Sequence, residues 1–200
     1  MLIDLSVLLN ERTPVYPGDP ATKIAPAGVL SKDGYTDHYL SVGTHVGTHI
    51  DAPMHMLEGG KSLEAMPMEQ FAGRGRLVEI SSSDFNEVKA AGIQEGDIVL
   101  FRTGMGTKYH DPVYFEDYPV MSEDVAKYLM ETKVKMVGVD TCSVDNTDGF
   151  PIHKILLAGN VLIIENLTNL GALKNKEFSV YALPLKLELD GAPARVVAQL

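Results

Sequence analysis

From residue 76 onward the chain alternates short runs of β-branched and aliphatic residues with windows that read as helices, and this order constrains the fold more than any other feature. The runs fall at 76–80, 97–101, 136–140 and 161–165, and the helical windows at 84–91, 122–131 and 151–158. Strands separated by helices predict parallel pairing, because a chain that re-enters a sheet in the same direction needs a crossover. Local chemistry agrees. Asp84 and Ser122 stand where caps are wanted, Glu123 and Asp124 suit the positive start of a helix, Pro151 suits a first helical position and Gly159 a stop.

Before residue 76 the pattern changes. A strand is expected at 2–8, then a loop holding Pro14, Pro17, Gly18 and Pro20, then an extended stretch over 39–50. After Phe178, two strand-like runs at 180–189 and 195–200 flank a turn at Asp190 and Gly191. With no repeat and no linker, one domain over residues 1–200 is expected.

Composition excludes several function classes. Seventeen basic against 27 acidic residues leave a net charge of −10, with no basic run to neutralise phosphates, so nucleic acid is not an expected partner. The longest apolar stretch, around 161–164, is far short of the ~20 residues that cross a bilayer, and the first residues lack a basic region followed by an apolar one. Cys142, alone in the chain, forms no internal disulfide, which fits a reducing compartment; the expected location is the cytoplasm. A chain of this size buries roughly 70% of its unfolded surface and needs no metal staple, so a bound metal would serve chemistry.

The candidate for that chemistry is the stretch from Ser41 to His55, where His45, His49 and His55 fall within eleven residues beside Asp51. In an extended chain the odd numbers place His45, His49 and Asp51 on one face, with Val46, Thr48 and Ile50 opposite. A straight strand would set His45 and His49 about 13 Å apart at ~3.3 Å per residue. That is barely compatible with one ion that each imidazole must approach to about 2.1 Å. A bend near Gly43–Gly47 is therefore predicted, and the glycines permit it. Imidazoles with a carboxylate are the donor set of zinc, manganese and iron sites. A second pair lies a hundred residues on: His153 in the first turn of a helix, and Glu165 at the carboxyl end of a strand, where open α/β sheets gather functional groups.

The run His45-Val46-Gly47-Thr48-His49-Ile50-Asp51-Ala52-Pro53-Met54-His55 resembles the signature of the cyclase family of metal-dependent hydrolases, which includes bacterial kynurenine formamidase (arylformamidase) and isatin hydrolase. Further matches are Tyr16-Pro17-Gly18-Asp19, Leu100-Phe101-Arg102-Thr103-Gly104, Gly138-Val139-Asp140-Thr141, the His153 and Glu165 pair with Asn166-Leu167, and Leu183-Pro184-Leu185-Lys186. The resemblance implies a mixed α/β fold of the swivelling β/β/α type, a central mixed sheet or half-barrel with flanking helices, in a homodimer or higher homo-oligomer. It implies that His45, His49 and Asp51 hold one divalent metal, zinc or manganese, and that Asp51 bridges to a second ion held with His153 and Glu165. His55 would be the proton donor and acceptor, with a fourth ligand or an outer hydrogen bond as its alternatives. Tyr16 stands where the formamidases carry a substrate-contacting tryptophan, in a chain without Trp, which argues against N-formylkynurenine.

The expected activity is hydrolysis of a small amide, formamide or cyclic amide by a metal-activated water, with lactone or ester hydrolysis, isatin-type ring opening and a non-catalytic metal scaffold as alternatives. Arg102 would neutralise a substrate carboxylate or tie down a loop, and His38, His110 and Cys142 are expected to be structural.

Overall fold

The computed structural model describes residues 1–80 and 85–200, and of Phe85 and Asn86 only the backbone. In chain order the elements are β1 (Leu2–Asp4), β2 (Lys23–Gly28), α1 (Leu30–Asp33), β3 (Asp37–Ser41), β4 (His49–Asp51), β5 (Ala72–Glu79) and α2 (Phe85–Ala90). They continue with β6 (Ile98–Arg102), α3 (Glu123–Glu131), β7 (Met136–Val139), α4 (Pro151–Ala158), β8 (Leu162–Glu165), β9 (Ser179–Pro184) and β10 (Gly191–Gln199). The expected cap Asp84 lies outside the described residues. Ser122 does cap α3, its hydroxyl accepting from the Val125 N–H, and α4 opens on Pro151 and ends at Gly159.

The parallel core is as expected: β5, β6, β7 and β8 pair in parallel in that order. Antiparallel strands complete the mixed sheet, in the order β1-β10-β4-β8-β7-β6-β5-β9, and a further β9–β10 pairing closes it. The half-barrel is thus a full ring. Strand β10 makes this possible by changing partners along its length: residues 191–193 pair with β4, and residues 194–199 pair with β9.

Alternation along the strands sorts two cores. Ile98, Leu100, Leu162, Ile164 and Ile50 point into the ring with Val180 and Val196. Val99, Phe101, Val137 and Ile163 point outward, against Val125 and Leu129 of α3 and Leu156 of α4. Both faces of β6, β7 and β8 are buried, which is why they read as apolar runs. Among the described residues no helix is long and apolar enough to cross a membrane.

Several expected boundaries change. The strand over 2–8 keeps only Leu2–Asp4, followed by a single bridge at Ser6. The run 180–189 ends at Pro184, and the final strand starts earlier, at Gly191, because β4 offers it a partner there. The stretch 39–50 is two strands, β3 and β4, with residues 44–48 turning between them; Gly47 sits at φ 61°, the left-handed region that glycine enters without steric cost. Among the described residues, strand β3 pairs only with β2, in a separate two-stranded ribbon.

Candidate metal centre

The turn at 44–48 does what the spacing required. It brings His45 back over β4, so that the rings of His45 and His49 stand 5.1 Å apart, edge to face, where a straight strand would separate them by about 13 Å. The parity reading holds for His49 and Asp51, which lie on β4 itself; His45 joins them through the bend. On β4, Ile50 points into the ring and leaves His49 and Asp51 on the outer face, toward α4.

Register supplies the next residue. Strands β4 and β8 run antiparallel with His49 opposite Glu165, so the two side chains are cross-strand neighbours on that outer face. Helix α4 then lowers His153 onto them from its first turn. His55 follows in a short 3-10 turn, Pro53–His55, beyond the end of β4. The six residues converge. Tyr16 does not join them: its ring stands edge-on to Phe115, and among the described residues no hydrogen bond, ion pair or ring contact links it to the cluster.

The spacings inside the cluster are those of a ligand set. His49 Nε2 lies 3.3 Å from Asp51 Oδ1 and 3.5 Å from Glu165 Oε2. His153 Nε2 lies 3.6 Å from Asp51 Oδ2 and 3.3 Å from Glu165 Oε1. Two ligands each about 2.1 Å from a tetrahedral ion stand about 3.4 Å from one another. Each carboxylate turns one oxygen to each imidazole. His49 Nε2 and Asp51 Oδ2 are buried and lack any hydrogen-bond partner. Buried polar atoms are nearly always paired, so two orphans within one cluster of metal-binding side chains argue for a cation there. The side chains present thus fit a divalent metal.

Outer contacts fix the rings. His49 Nδ1–H donates to the Gly47 carbonyl at 2.8 Å; that carbonyl also takes the Asn166 amide, whose oxygen in turn accepts from Tyr114. His153 Nδ1–H donates to Asp145 at 2.7 Å. Glu165 Oε1 accepts from the Val144 N–H. His45 donates to Asp51 Oδ1 through Nδ1 and to Asp190 Oδ2 through Nε2, both at 2.7 Å. Sequence reading missed Asp145 and passed over Asp190 as a turn residue; no spacing in the chain could have flagged either.

With no metal bound, the carboxylates dictate protonation. Burial opposes a charged ring at His45 and His153, yet Asp51 and Asp190 raise His45 to about 9, and Asp145, Asp51 and Glu165 raise His153 to about 12. Burial likewise opposes the charge of Asp51, but the imidazoles of His49, His153 and His45 hold it well below the usual carboxylate range. His55 goes the other way: burial pushes it below the ordinary histidine value, leaving a neutral ring able to take a proton.

A family model described as "Putative cyclase" matches residues 3–146, which include the whole run from His45 to His55. The chain belongs to the cyclase family. Kynurenine formamidase of Bacillus cytotoxicus is 29% identical to this cyclase-family chain over 205 residues, covering 98% of it and 95% of the relative. A solved structure described as a potential metal-dependent hydrolase with cyclase activity superposes with a TM-score of 0.81 at 31% identity, covering 99% of this chain and 96% of that one. An isatin hydrolase bound to the product analogue thioisatinate has a TM-score of 0.87 at 23% identity, over 100% of this chain and 92% of that one, and bears on the fold alone.

Proposed function

We propose that this cyclase-family protein is a metal-dependent hydrolase of a small amide, formamide or cyclic amide. The observation that carries the reading is the pair of orphaned, buried atoms, His49 Nε2 and Asp51 Oδ2, inside a set of imidazole and carboxylate donors spaced as ligands of a common ion. His45, His49 and Asp51 would hold one divalent ion, and Asp51, His153 and Glu165 a second. The two faces of Asp51 and Glu165, one oxygen to each imidazole, support two positions over one. Zinc is the first ion to test and manganese the next, since nitrogen and oxygen donors serve both. A bound divalent ion makes a water acidic near neutral pH and polarises a carbonyl.

The chain's own residues do the rest. His55, neutral and beside the cluster, takes the proton of the attacking water at one ring nitrogen and returns it to the leaving nitrogen, which departs as a neutral amine and not as an anion. Asp51 and Glu165, both buried, would offer carboxylate oxygens to the cations. Tyr16 and Phe115, edge to face in the loop region, would cover the acyl or aryl part of a substrate. A relative supports the amide class: a kynurenine formamidase at 29% identity, matched over 98% of this chain.

The test combines elemental analysis with assays on formanilides, isatin and lactones. Wild type should hold stoichiometric metal and open an amide; His55→Ala should keep the metal and lose turnover. Loss of metal in His55→Ala moves His55 among the ligands, and full metal without hydrolysis across the panel leaves only a scaffold.

A homodimer is the assembly we propose. The β2–β3 ribbon, with Tyr39 and Leu40 exposed, is a two-stranded unit of a kind only marginally stable by itself. Light scattering that returns a monomer mass would refute it.

A further inference from the structure

Three imidazoles of the cluster share one arrangement: one ring nitrogen faces the carboxylates Asp51 and Glu165, and the other is given to an acceptor on the outside. For His49 and His153 the inward atom is Nε2, and the outer acceptors are the Gly47 carbonyl and Asp145. His45 reverses the ring. Its Nδ1 meets Asp51 Oδ1, and its Nε2 goes to Asp190 Oδ2.

Asp190 is well placed to hold it. The residue immediately precedes β10, its carbonyl accepts the Ala52 N–H at 2.8 Å, and the next residue, Gly191, pairs with Asp51 across the ladder. The backbone under the carboxylate is therefore tied to the C-terminal end of β4. The same Oδ2 stands 3.4 Å from Nδ1 of His55, whose ring lies against that of His45 with centroids 3.9 Å apart and planes inclined at 32°.

We propose that Asp190 is a positioning residue: it accepts the Nε2–H of His45, turns Nδ1 of that ring inward, and sets the spacing between His45 and His55. The inference rests on the metal-centre reading above and adds to it a specific ligating atom, Nδ1 of His45, where His49 and His153 use Nε2. A carboxylate behind a ligating imidazole fixes its tautomer and raises its basicity, and its loss typically costs 10–100-fold in metal affinity.

The experiment measures zinc affinity by competition with a chromophoric chelator, for wild type, Asp190→Ala, Asp190→Asn and Glu188→Gln. Glu188, exposed in the same turn, controls for the loss of one negative charge nearby. Expected is a 10–100-fold weaker affinity in Asp190→Ala and a smaller loss in Asp190→Asn, which keeps an acceptor but not a charged one. Glu188→Gln should match wild type, and circular dichroism should show all variants folded. In the zinc-loaded wild type, ¹⁵N-histidine spectra should report His45 protonated at Nε2. Wild-type affinity in Asp190→Ala, or His45 protonated at Nδ1, overturns the proposal. Tight zinc binding without hydrolysis refutes only the proposed activity, whereas failure of the wild type to bind either zinc or manganese removes both readings.

Discussion

Replacing Asp145 with alanine tests the architecture most directly, because one buried carboxylate there does two jobs. It is 2% exposed. Its Oδ2 accepts from both the backbone N–H of His153, at 2.9 Å, and its Nδ1–H, at 2.7 Å, while Oδ1 accepts from the Ile152 N–H at 3.0 Å. Helix α4 has no capping side chain at Phe150, the residue before it, so Asp145 serves as its cap from outside the helix. A hydrogen bond to a charged group contributes roughly 1.5–3 kcal/mol, and breaking a buried pair costs about 3–5 kcal/mol because a desolvated partner is left alone. The three bonds share one carboxylate whose own desolvation is relieved when it goes, so the pair figure is the better guide. At roughly 2–4 °C per kcal/mol for a chain of this size, the melting temperature of the metal-stripped protein should fall by about 6–20 °C. Thermal unfolding followed by circular dichroism in excess chelator measures it. Asp145→Asn, which keeps a single acceptor oxygen, should fall between. A drop below about 2 °C in Asp145→Ala, less than 1 kcal/mol on the same scale, would refute the assignment.

Gly191→Ala should loosen the site from the opposite side: a Cβ there comes within 2.8 Å of both His45 Cε1 and the Ile50 carbonyl, an overpacking expected to cost about 1–3 kcal/mol, and zinc affinity should fall with it. Calorimetric titration of zinc into this variant checks that, and wild-type affinity would count against the close approach. For the metal-free protein, pH matters through His45. Burial opposes its charge, but Asp51 and Asp190 raise it from 6.5 to about 9, so its contribution to stability is complete below pH 6.5 and is lost as pH rises through 9. Metal-free melting temperatures should therefore decline from pH 6.5 to 9, and a His45→Asn variant should lose that part of the slope. Cys142 is buried, and burial pushes its thiol up to about 12. A disulfide reagent at pH 8 should leave the native protein untouched and titrate one thiol per chain in denaturant.

How much of this was legible beforehand follows from how far apart the causes lie. Strands β5 to β8 and helices α3 and α4 carry their own signals, in aliphatic runs, a capping serine and a proline at a first turn, so they could be read locally. The bend between His45 and His49 was legible too, because glycine at 47 and the length of a straight strand left no other way for the imidazoles to meet. Ring closure was not, since it depends on β10 exchanging β4 for β9 midway, a choice made by distant partners. The ribbon strand β2 escaped notice for a related reason: four of its six residues are exposed, so no core face stamped a pattern on the sequence. Asp145 and Asp190 are ordinary loop carboxylates in sequence. Their importance comes from a helix start and a cross-strand register that exist only in the folded chain.

A seam that closes on itself also decides where motion can occur. The hoop of strands has no loose border along which β4, β8 and β10 could slide, so the donors they carry are locked in step with one another. Adjustment to a bound substrate must then come from the loops that join the strands, and amide exchange should be slowest in β4, β8 and β10.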